Sequence, residues 1–241
     1  MVYTQHVCAK CASEQIRRNG SSGGRANYQC KACGHQGYCQ PASVEKARQY
    51  AQVDQLLLER VSLRSIVRLT GVARNTMAKR VKKSAAASPC PALPRLRPKR
   101  AQKKQWEALE LDEMWTFVGR RRRKVWLWLA VERASRRVVA WVLGSRGTAT
   151  LTRLWQALPR RYRRHTYYFT DAWRAYPQVL PTAAHHVGKA GTRVVEALNG
   201  KLRHRCGVLV RRSRAFSKCR ASHYNRIKIA IDHLNLEITL N

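Results

Sequence analysis

Two Cys-x-x-Cys motifs near the start of this 241-residue chain constrain its fold more than any other feature. "CAKC" supplies Cys8 and Cys11, and "CKAC" supplies Cys30 and Cys33 after an interval of 18 residues. Two such pairs at this spacing are typical of a structural zinc site with four thiolate ligands. Gly34, directly after the second pair, suits the left-handed turn that such a motif often needs.

Residues 1–42 are rich in Cys, Gly and Ser and lack apolar periodicity. We therefore expect a small zinc-binding module in which the bound metal replaces a hydrophobic core. Four thiolates leave no open coordination position, so the zinc would be structural. Two alternatives remain: a pair of redox-active or unpaired dithiols, and a ligand set in which His35 or Cys39 substitutes for one cysteine.

Residues 43–83 have apolar residues at helical spacing. The buried face of the first predicted helix consists of Leu63, Ile66 and Val67. Met77 and Val81 predict the buried face of a second helix, and Gly71 predicts the turn between the two. The second helix would expose side chains suited to base edges and phosphates: Arg74, Asn75, Lys79, Arg80, Lys82 and Lys83. We predict a helix-turn-helix DNA-binding domain, with a purely structural hairpin as the alternative.

The next segment, residues 84–105, carries four prolines and a run of bases, which is typical of a linker. Residues 106–241 then contain strand and helix patterns in the order β-β-β-α-β-β-α, with a long last helix from about residue 192 to residue 210. That order predicts an α/β domain with a mixed sheet and helices packed on it.

The charge of the chain is a further constraint. Lys and Arg number 48 against 13 Asp and Glu, which gives a formal net charge of +35. Such an excess calls for a polyanionic partner, and nucleic acid is the usual one. A packing protein of the ribosome or nucleoid is the non-catalytic alternative. With no signal segment and no apolar run of the ~20 residues that a membrane span needs, we expect a cytoplasmic protein.

Carboxylates are scarce in the C-terminal half, so their positions are informative. After Glu132 the chain contains only Asp171, Glu196, Asp232 and Glu237. A protein that merely packs nucleic acid gains nothing from acids among phosphates, whereas an enzyme that cuts DNA uses acids to hold divalent metal ions. Asp112 on the first strand, Asp171 at the end of the fourth and Glu196 in the last helix fit that role.

Two of these three acids have structural alternatives. Asp171 suits the cap of a turn or helix. Glu196 could be a solvated helix residue paired with Arg193 or Lys201.

The first strand and the C-terminus leave further alternatives. Glu110 and Glu113 flank Asp112 and compete with it for the role of metal ligand. Asp232 could be a fourth acid near the site, although pairing with Lys228 is the simpler interpretation.

The whole chain resembles the transposases of insertion sequence one, of the InsA/InsB type. The resemblance is carried by the four-cysteine N-terminus and by five later stretches: "LELDEMWTFVG", "VVAWVLG", "PRRYRRHTYYFTDAWRAYPQVLP", "HHVGKAGTRVVEALNGKLRHRCGVLVRRSRAFSK" and "IDHLN". It implies a ribonuclease-H-like catalytic fold and an Asp-Asp-Glu site formed by Asp112, Asp171 and Glu196. These residues would hold two Mg²⁺ ions, with Mn²⁺ as a possible substitute.

The resemblance also implies that Arg203, seven residues after Glu196, lies near the DNA end. Because Glu196, Asn199 and Arg203 recur at i, i+3 and i+7, we expect their side chains to face outward together, Asn199 and Arg203 contacting DNA. Relatives are expected to read closer to "T-N-x-I-E-R-x-N" where this chain has "TRVVEALN". Arg193 and Ala197 thus replace an Asn and an Arg, which affects contacts to the DNA end rather than the acids.

We therefore expect a transposase that binds the terminal inverted repeats of an insertion sequence. It would cleave double-stranded DNA at those ends with metal ions, transfer the freed strand to target DNA, and work as a homo-oligomer. The two alternatives are a non-enzymatic DNA-binding repressor and a ribonuclease-H-like nuclease without strand transfer.

Overall fold

The computed structural model describes residues 6–38, 42–87, 107–164, 166–212 and 214–240. The chain divides into two compact units, Met1–Val53 and Asp54–Asn241. Most of the expected linker, residues 88–105, lies outside the described residues. Within the described residues, no helix combines the length and the apolar character that a membrane crossing requires.

The first unit contains a three-stranded antiparallel sheet in the order β1-β2-β3. The strands are β1 (Ile16–Ser22), β2 (Arg25–Cys30) and β3 (Gln36–Gly37). Gly34 has φ 69°, so the predicted left-handed turn after the second cysteine pair is confirmed. Helix α1 (Ala42–Leu57) begins in this unit and ends in the second.

The second unit opens with a helical hairpin formed by α2 (Leu63–Thr70) and α3 (Arg74–Ala87). The side chain of Ser62 caps α2 by accepting the backbone N–H of Ser65 at 3.1 Å. Gly71 ends α2 at φ 69°, a left-handed conformation that glycine adopts readily. The two helices and the turn lie where the apolar spacing predicts them, and α3 extends to Ala87, into the expected linker. Of the predicted buried face of α2, Ile66 is buried, whereas Leu63 and Val67 are only half-buried.

A five-stranded mixed sheet forms the centre of the second unit, in the order β6-β5-β4-β7-β8. Its strands are β4 (Glu107–Phe117), β5 (Lys124–Glu132), β6 (Val138–Gly144), β7 (Thr166–Thr170) and β8 (His185–Val187). Strands β4, β5 and β6 pair antiparallel, whereas β7 pairs parallel with both β4 and β8. The mixed sheet is the architecture that the order of elements predicts.

Helices cover both faces of this sheet. They are α4 (Thr148–Ala157), α5 (Arg160–Arg164), α6 (Arg193–Arg205) and α7 (Arg220–Leu240). Leu151 of α4 and Tyr162 of α5 belong to the hydrophobic cluster on one face. Leu198 of α6 and Ile227 of α7 belong to the cluster on the other. The residues of β4 that point to the α6 face are therefore the ones that can meet Glu196.

Two features of the C-terminal region differ from the sequence prediction. The long helix expected to reach residue 210 ends at Arg205, and a short 3₁₀ turn, Gly207–Leu209, follows. Gly207 packs so closely that an added Cβ would lie 3.1 Å from the carbonyl oxygen of Arg60. Helix α7 was not predicted, because its buried residues pack against both the sheet and α3 and so do not form one clear stripe.

Candidate active site and metal centre

Strand β4 sends alternate side chains to opposite faces of the sheet. Leu109 and Leu111 enter the core on the α4 side. Asp112 points to the α6 side, where one carboxylate oxygen accepts the side-chain N–H of Asn199 at 2.6 Å. Asp112 therefore lies on the opposite face of β4 from Leu109 and Leu111.

The parallel pairing of β4 with β7 sets the position of Asp171. Glu110 pairs with Phe169 in this register. Two residues further along each strand, the same register brings Asp112 alongside Asp171, the first residue after β7. Two acids 59 positions apart in sequence are thus brought together where β7 ends, beside the middle of β4. The carboxyl ends of strands are where functional groups commonly lie in α/β proteins.

One oxygen of Asp171 has a structural role. Its Oδ1 accepts the backbone N–H of Trp173 at 3.0 Å, which stabilises the turn that follows β7. The other oxygen, Oδ2, makes no hydrogen bond to a described residue. The capping interpretation and the ligand interpretation therefore use different oxygens of the same carboxylate.

Glu196 lies on the first turn of α6 and is exposed. Its Oε1 accepts the hydroxyl of Thr192 at 3.0 Å. Within the described residues it forms no ion pair with Arg193 or Lys201, the two partners that a purely solvated role would offer. The uncharged hydroxyl of Thr192 orients the carboxylate of Glu196, which remains accessible to a ligand.

The electrostatic environment links these three acids. Burial raises the pKa of Asp112 to about 6, while the backbone N–H of Glu113 opposes this effect. The negative charges of Asp171 and Glu196 raise this pKa further, and the amide of Asn199 lowers it. Like charges held this close disfavour ionisation unless a cation joins them.

The neighbouring acids on β4 have other partners. Glu110 accepts the backbone N–H groups of Val194 and Val195 at 2.7 and 2.9 Å, at the start of α6, and it binds Arg133 at 2.8 Å. Its carboxylate therefore interacts favourably with the helix dipole. Each of these bonds is intramolecular, so Glu110 fixes α6 against the sheet rather than facing a ligand.

Glu113 is engaged on the opposite face of β4. It accepts the hydroxyl of Tyr176 at 2.7 Å and the guanidinium of Arg146 at 2.8 Å. Arg146 in turn stacks on Trp173, with its guanidinium carbon 3.8 Å from the ring centroid. With both flanking glutamates occupied, Asp112 is the one of these three neighbouring acids that remains available to a metal ion.

Asn199 and Arg203 follow Glu196 on successive turns of α6. Contrary to the expectation that Glu196, Asn199 and Arg203 face outward together, Asn199 is only 5% exposed because it bonds to Asp112. The Oδ1 of Asn199 and the Nε of Arg203 are buried and have no hydrogen-bond partner in the part of the chain that the structure describes. Burial and the charge of Arg211 lower the pKa of Arg203, and Asp112 opposes them.

The donor set suits a hard divalent cation. Carboxylate and amide oxygens are the ligands that Mg²⁺ prefers. Within the described part of the chain, no three acidic or histidine side chains have ligand atoms all within 4.8 Å of one another, so the three acids are less tightly gathered than the cysteines. The raised pKa of Asp112 and the unpartnered Oδ1 of Asn199 are the features that a cation would relieve.

The four cysteines of the first unit form the tightest group of metal-ligand side chains among the described residues. All four sulfur atoms lie within 4.8 Å of one another. The Cys8–Cys33 sulfurs are 3.7 Å apart and the Cys11–Cys30 sulfurs 3.6 Å. Tetrahedral geometry with Zn–S bonds of about 2.3 Å requires separations of about 3.8 Å. The cluster could therefore hold a metal ion such as zinc, and Cys39 lies outside the described residues.

Helix α3 exposes most of the predicted DNA-contacting residues. Five are exposed: Arg74, Asn75, Lys79, Lys82 and Lys83. Arg80 is half-buried and forms an ion pair with Asp54, which also accepts the hydroxyl of Ser84. Arg80 therefore holds α3 to the end of α1, a role that the sequence pattern did not indicate.

Asp232 forms an ion pair within its own helix, α7. The ammonium group of Lys228, one turn earlier on α7, lies 2.5 Å from Asp232 Oδ2. The pairing expected from the sequence is confirmed.

Comparison with known proteins assigns the class of this molecule. A family model described as IS1 transposase matches residues 107–236. The insertion element IS1 protein InsB of Shigella flexneri is 38% identical over 109 residues, which cover 45% of this chain and 82% of that protein. The IS1 2 protein InsB of Escherichia coli K12 is 37% identical over 115 residues, covering 47% and 67%. The chain belongs to the IS1 transposase family, a class of DNA-cleaving enzymes.

Proposed function

We propose that this chain is a DDE-type transposase with Asp112, Asp171 and Glu196 as its metal-binding triad. The observation that carries the proposal is the register of β4 and β7, which brings Asp112 alongside Asp171. The hydrogen bond from Asn199 to Asp112 holds α6, the helix that carries Glu196, next to the same part of β4. Glu110 and Glu113 are both occupied by intramolecular hydrogen bonds, which supports Asp112 as the metal ligand among the three neighbouring acids.

The triad would hold two Mg²⁺ ions, or Mn²⁺ in their place. Bound there, the ions would activate an attacking oxygen and stabilise the leaving one. Asp112 and Asp171 act as rigid ligands, because each has one oxygen held by a protein donor. Glu196, held only through Thr192, can adjust its position. Water would be the attacking group in cleavage, and the freed 3′-hydroxyl would be that group in strand transfer.

The other parts of the chain would recognise DNA. Residues 1–42 form a zinc module in this proposal, and residues 43–83 form a helix-turn-helix domain with Arg74, Asn75 and Lys79 on its recognition helix. Together they would bind the terminal inverted repeats of the element. The exposure of these side chains supports the assignment. Residues 84–105, of which the first four continue α3, would link this domain to a ribonuclease-H-like catalytic domain, residues 106–241.

Arg203 would contact the DNA end near the triad. Its pKa responds to Asp112, which supports a position close to the acids. Asn199, by contrast, faces Asp112, so we assign it to supporting that acid rather than to direct DNA binding. Because two ends must be cut together, we expect a homo-oligomer to be the active form.

The decisive experiment incubates the full chain and Mg²⁺ with linear DNA that carries the element's own ends. We expect both cleaved and joined products from the wild type and neither from Asp171→Ala. Glu59→Ala, which removes an exposed acid that is not part of the triad, is the matched control and should retain both activities.

The outcomes separate the proposal from its two alternatives. Cleavage that survives Asp171→Ala contradicts the triad. Cleavage without joining favours a nuclease that lacks strand transfer. Binding to the ends with neither product, from wild type and variants alike, favours a repressor.

A further inference from the structure

The second unit contains an open cleft of about 760 Å³ beside the acids. We call it the arginine cleft, after the five arginines among its lining residues: Arg60, Arg121, Arg203, Arg211 and Arg212. Gly200 of α6 also lines it, directly after the asparagine that binds Asp112. The cleft therefore begins about one helical turn from the proposed triad.

No acid is among the described residues that line the arginine cleft. Burial is the main cause that lowers the pKa of Arg203, and the positive charge of Arg211 lowers it further. Guanidinium groups gathered without carboxylates repel one another and match phosphate oxygens in pairs. The chemistry of the cleft calls for phosphate groups.

Trp115 of β4 gives the cleft an aromatic surface. Other tryptophans of this unit, including Trp126 and Trp128, belong to or pack against the two hydrophobic clusters, whereas Trp115 belongs to neither. The guanidinium carbon of Arg211 lies 5.1 Å from its ring centroid and the ammonium of Lys124 lies 5.6 Å away. A half-buried ring outside the core and among cations is suited to stacking on a nucleic-acid base.

The size of the cleft and the position of Trp115 together favour an unpaired nucleotide as the occupant. Pockets of roughly 300–1,000 Å³ hold small organic ligands. The arginine cleft lies in that range, which is a space that one or two nucleotides would fill. A base can reach Trp115 only when it has left its partner strand, since paired bases stack on one another.

We infer that the arginine cleft binds one or two unpaired nucleotides of a DNA strand next to the cleavage site. A base stacks on Trp115, and Arg203, Arg211 and Arg212 contact the phosphates. This inference rests on the proposed function for the choice of DNA and for the direction in which the strand leaves the triad. It adds a site for single-stranded DNA that end recognition and metal-dependent cleavage do not themselves require.

The test measures DNA binding by the full chain without added Mg²⁺, so that no cleavage occurs. One probe is a duplex of the element's end with a single-stranded tail whose first unpaired base is 2-aminopurine, and the other is the same duplex with a blunt end. We expect the wild type to prefer the tailed probe and to quench the 2-aminopurine fluorescence by stacking. Trp115→Ala should bind the tailed probe about tenfold more weakly and abolish quenching, with blunt-end affinity unchanged.

Two further variants keep the test decisive. Trp115→Phe retains a stacking ring and should keep most of the preference for the tailed probe, even if Trp115→Ala folds poorly. Arg212→Ala should weaken binding of the tailed probe selectively. Its matched control is Arg122→Ala, an exposed arginine that does not line the cleft and should affect both probes alike.

Equal losses on tailed and blunt probes with Trp115→Ala, or unchanged 2-aminopurine fluorescence, would overturn the inference. Failure of the proposed function gives a different result, namely no cleavage or joining in Mg²⁺ while the preference for the tailed probe persists. Conversely, cleavage and joining without that preference would contradict the binding role of the arginine cleft and still support the triad.

Discussion

Asn199 and Asp112 are joined by a 2.6 Å hydrogen bond between a side-chain amide and a carboxylate, across 87 residues of sequence. The amide donates, so it favours the ionised form of the acid and lowers its pKa. The bond therefore keeps Asp112 in the form that a metal ion needs, and it fixes α6 over β4 at the position of the triad.

Asn199→Ala should reduce DNA cleavage about tenfold, because a hydrogen bond to a charged group contributes roughly 1.5–3 kcal/mol. The pKa of Asp112 should rise, which moves the acidic limb of the pH–rate profile upward. Lys201→Ala, an exposed change on the same helix, should leave the profile in place. A lower maximal rate with an unmoved acidic limb would contradict the role given to Asn199.

Asp112→Asn should stabilise the metal-free protein while abolishing cleavage. The folded-state pKa of about 6 exceeds the ordinary value of 3.8, so the fold favours the protonated acid. Ionisation of Asp112 therefore costs stability as the pH rises from about 4 to 6, and the deficit is complete above that range. A difference of this size corresponds to at most roughly 3 kcal/mol.

Thermal denaturation across this pH range tests the stability prediction. The wild type should lose stability with rising pH relative to Asp112→Asn, and the two curves should meet near pH 4. Parallel curves would show that Asp112 has an ordinary pKa.

Glu110→Gln and Glu196→Gln make the same chemical change and should have opposite consequences. Glu110 is buried and binds two helix N–H groups and Arg133, so its neutral amide should lower the free energy of unfolding by about 2 kcal/mol. Glu196 is exposed and accepts one hydroxyl, so stability should be unchanged while cleavage is lost. Chemical denaturation and a cleavage assay on both variants check this pair.

Cys8→Ser should release the metal of the first unit. The purified full chain should contain about one zinc ion per molecule by mass spectrometry, and the variant much less. Cys219→Ser, which changes an exposed cysteine outside the cluster, should retain the zinc. A wild-type chain purified with native metal that carried no zinc would contradict the structural-metal assignment.

Arg74→Ala and Arg80→Ala separate DNA contact from helix packing. Arg74 is exposed, so its loss should weaken DNA binding and flatten the salt dependence without affecting stability. Arg80 is paired with Asp54, so its loss should reduce the free energy of unfolding by about 1 kcal/mol. Similar effects of both substitutions on DNA affinity alone would show that Arg80 also faces the DNA.

Local pattern was enough to predict most elements of the fold. Segments rich in Val, Leu and Trp, separated by short polar or basic turns, located β4, β5 and β6. The left-handed turns at Gly34 and Gly71 followed from a glycine beside a cysteine pair and a glycine at a helix end. Helix α7 and the early end of α6 were missed because they depend on distant contacts. The carbonyl of Arg60 closes over Gly207, and no local signal in the sequence reports that approach.

For the site, the sequence identified candidate acids but not their environments. Glu110, Asp112 and Glu113 are nearly adjacent in sequence, and only pairing between elements shows that the two glutamates are occupied. Asn199 was expected on an outward face, whereas a partner 87 residues away holds it inward. Trp115 is one of several strand tryptophans in sequence, and only its exclusion from both hydrophobic clusters distinguishes it.

The β4–β7 register also bears on the safety of the host genome. Asp112, Asp171 and Glu196 come from a strand, the end of a second strand and a helix, and they meet only after β7 has paired with β4 and α6 has docked. On the proposed function, a nascent or misfolded chain would retain its basic surface but have no assembled catalytic centre. The ability to break DNA would thus require both of these contacts, so a molecule that lacked either could bind a chromosome without cutting it.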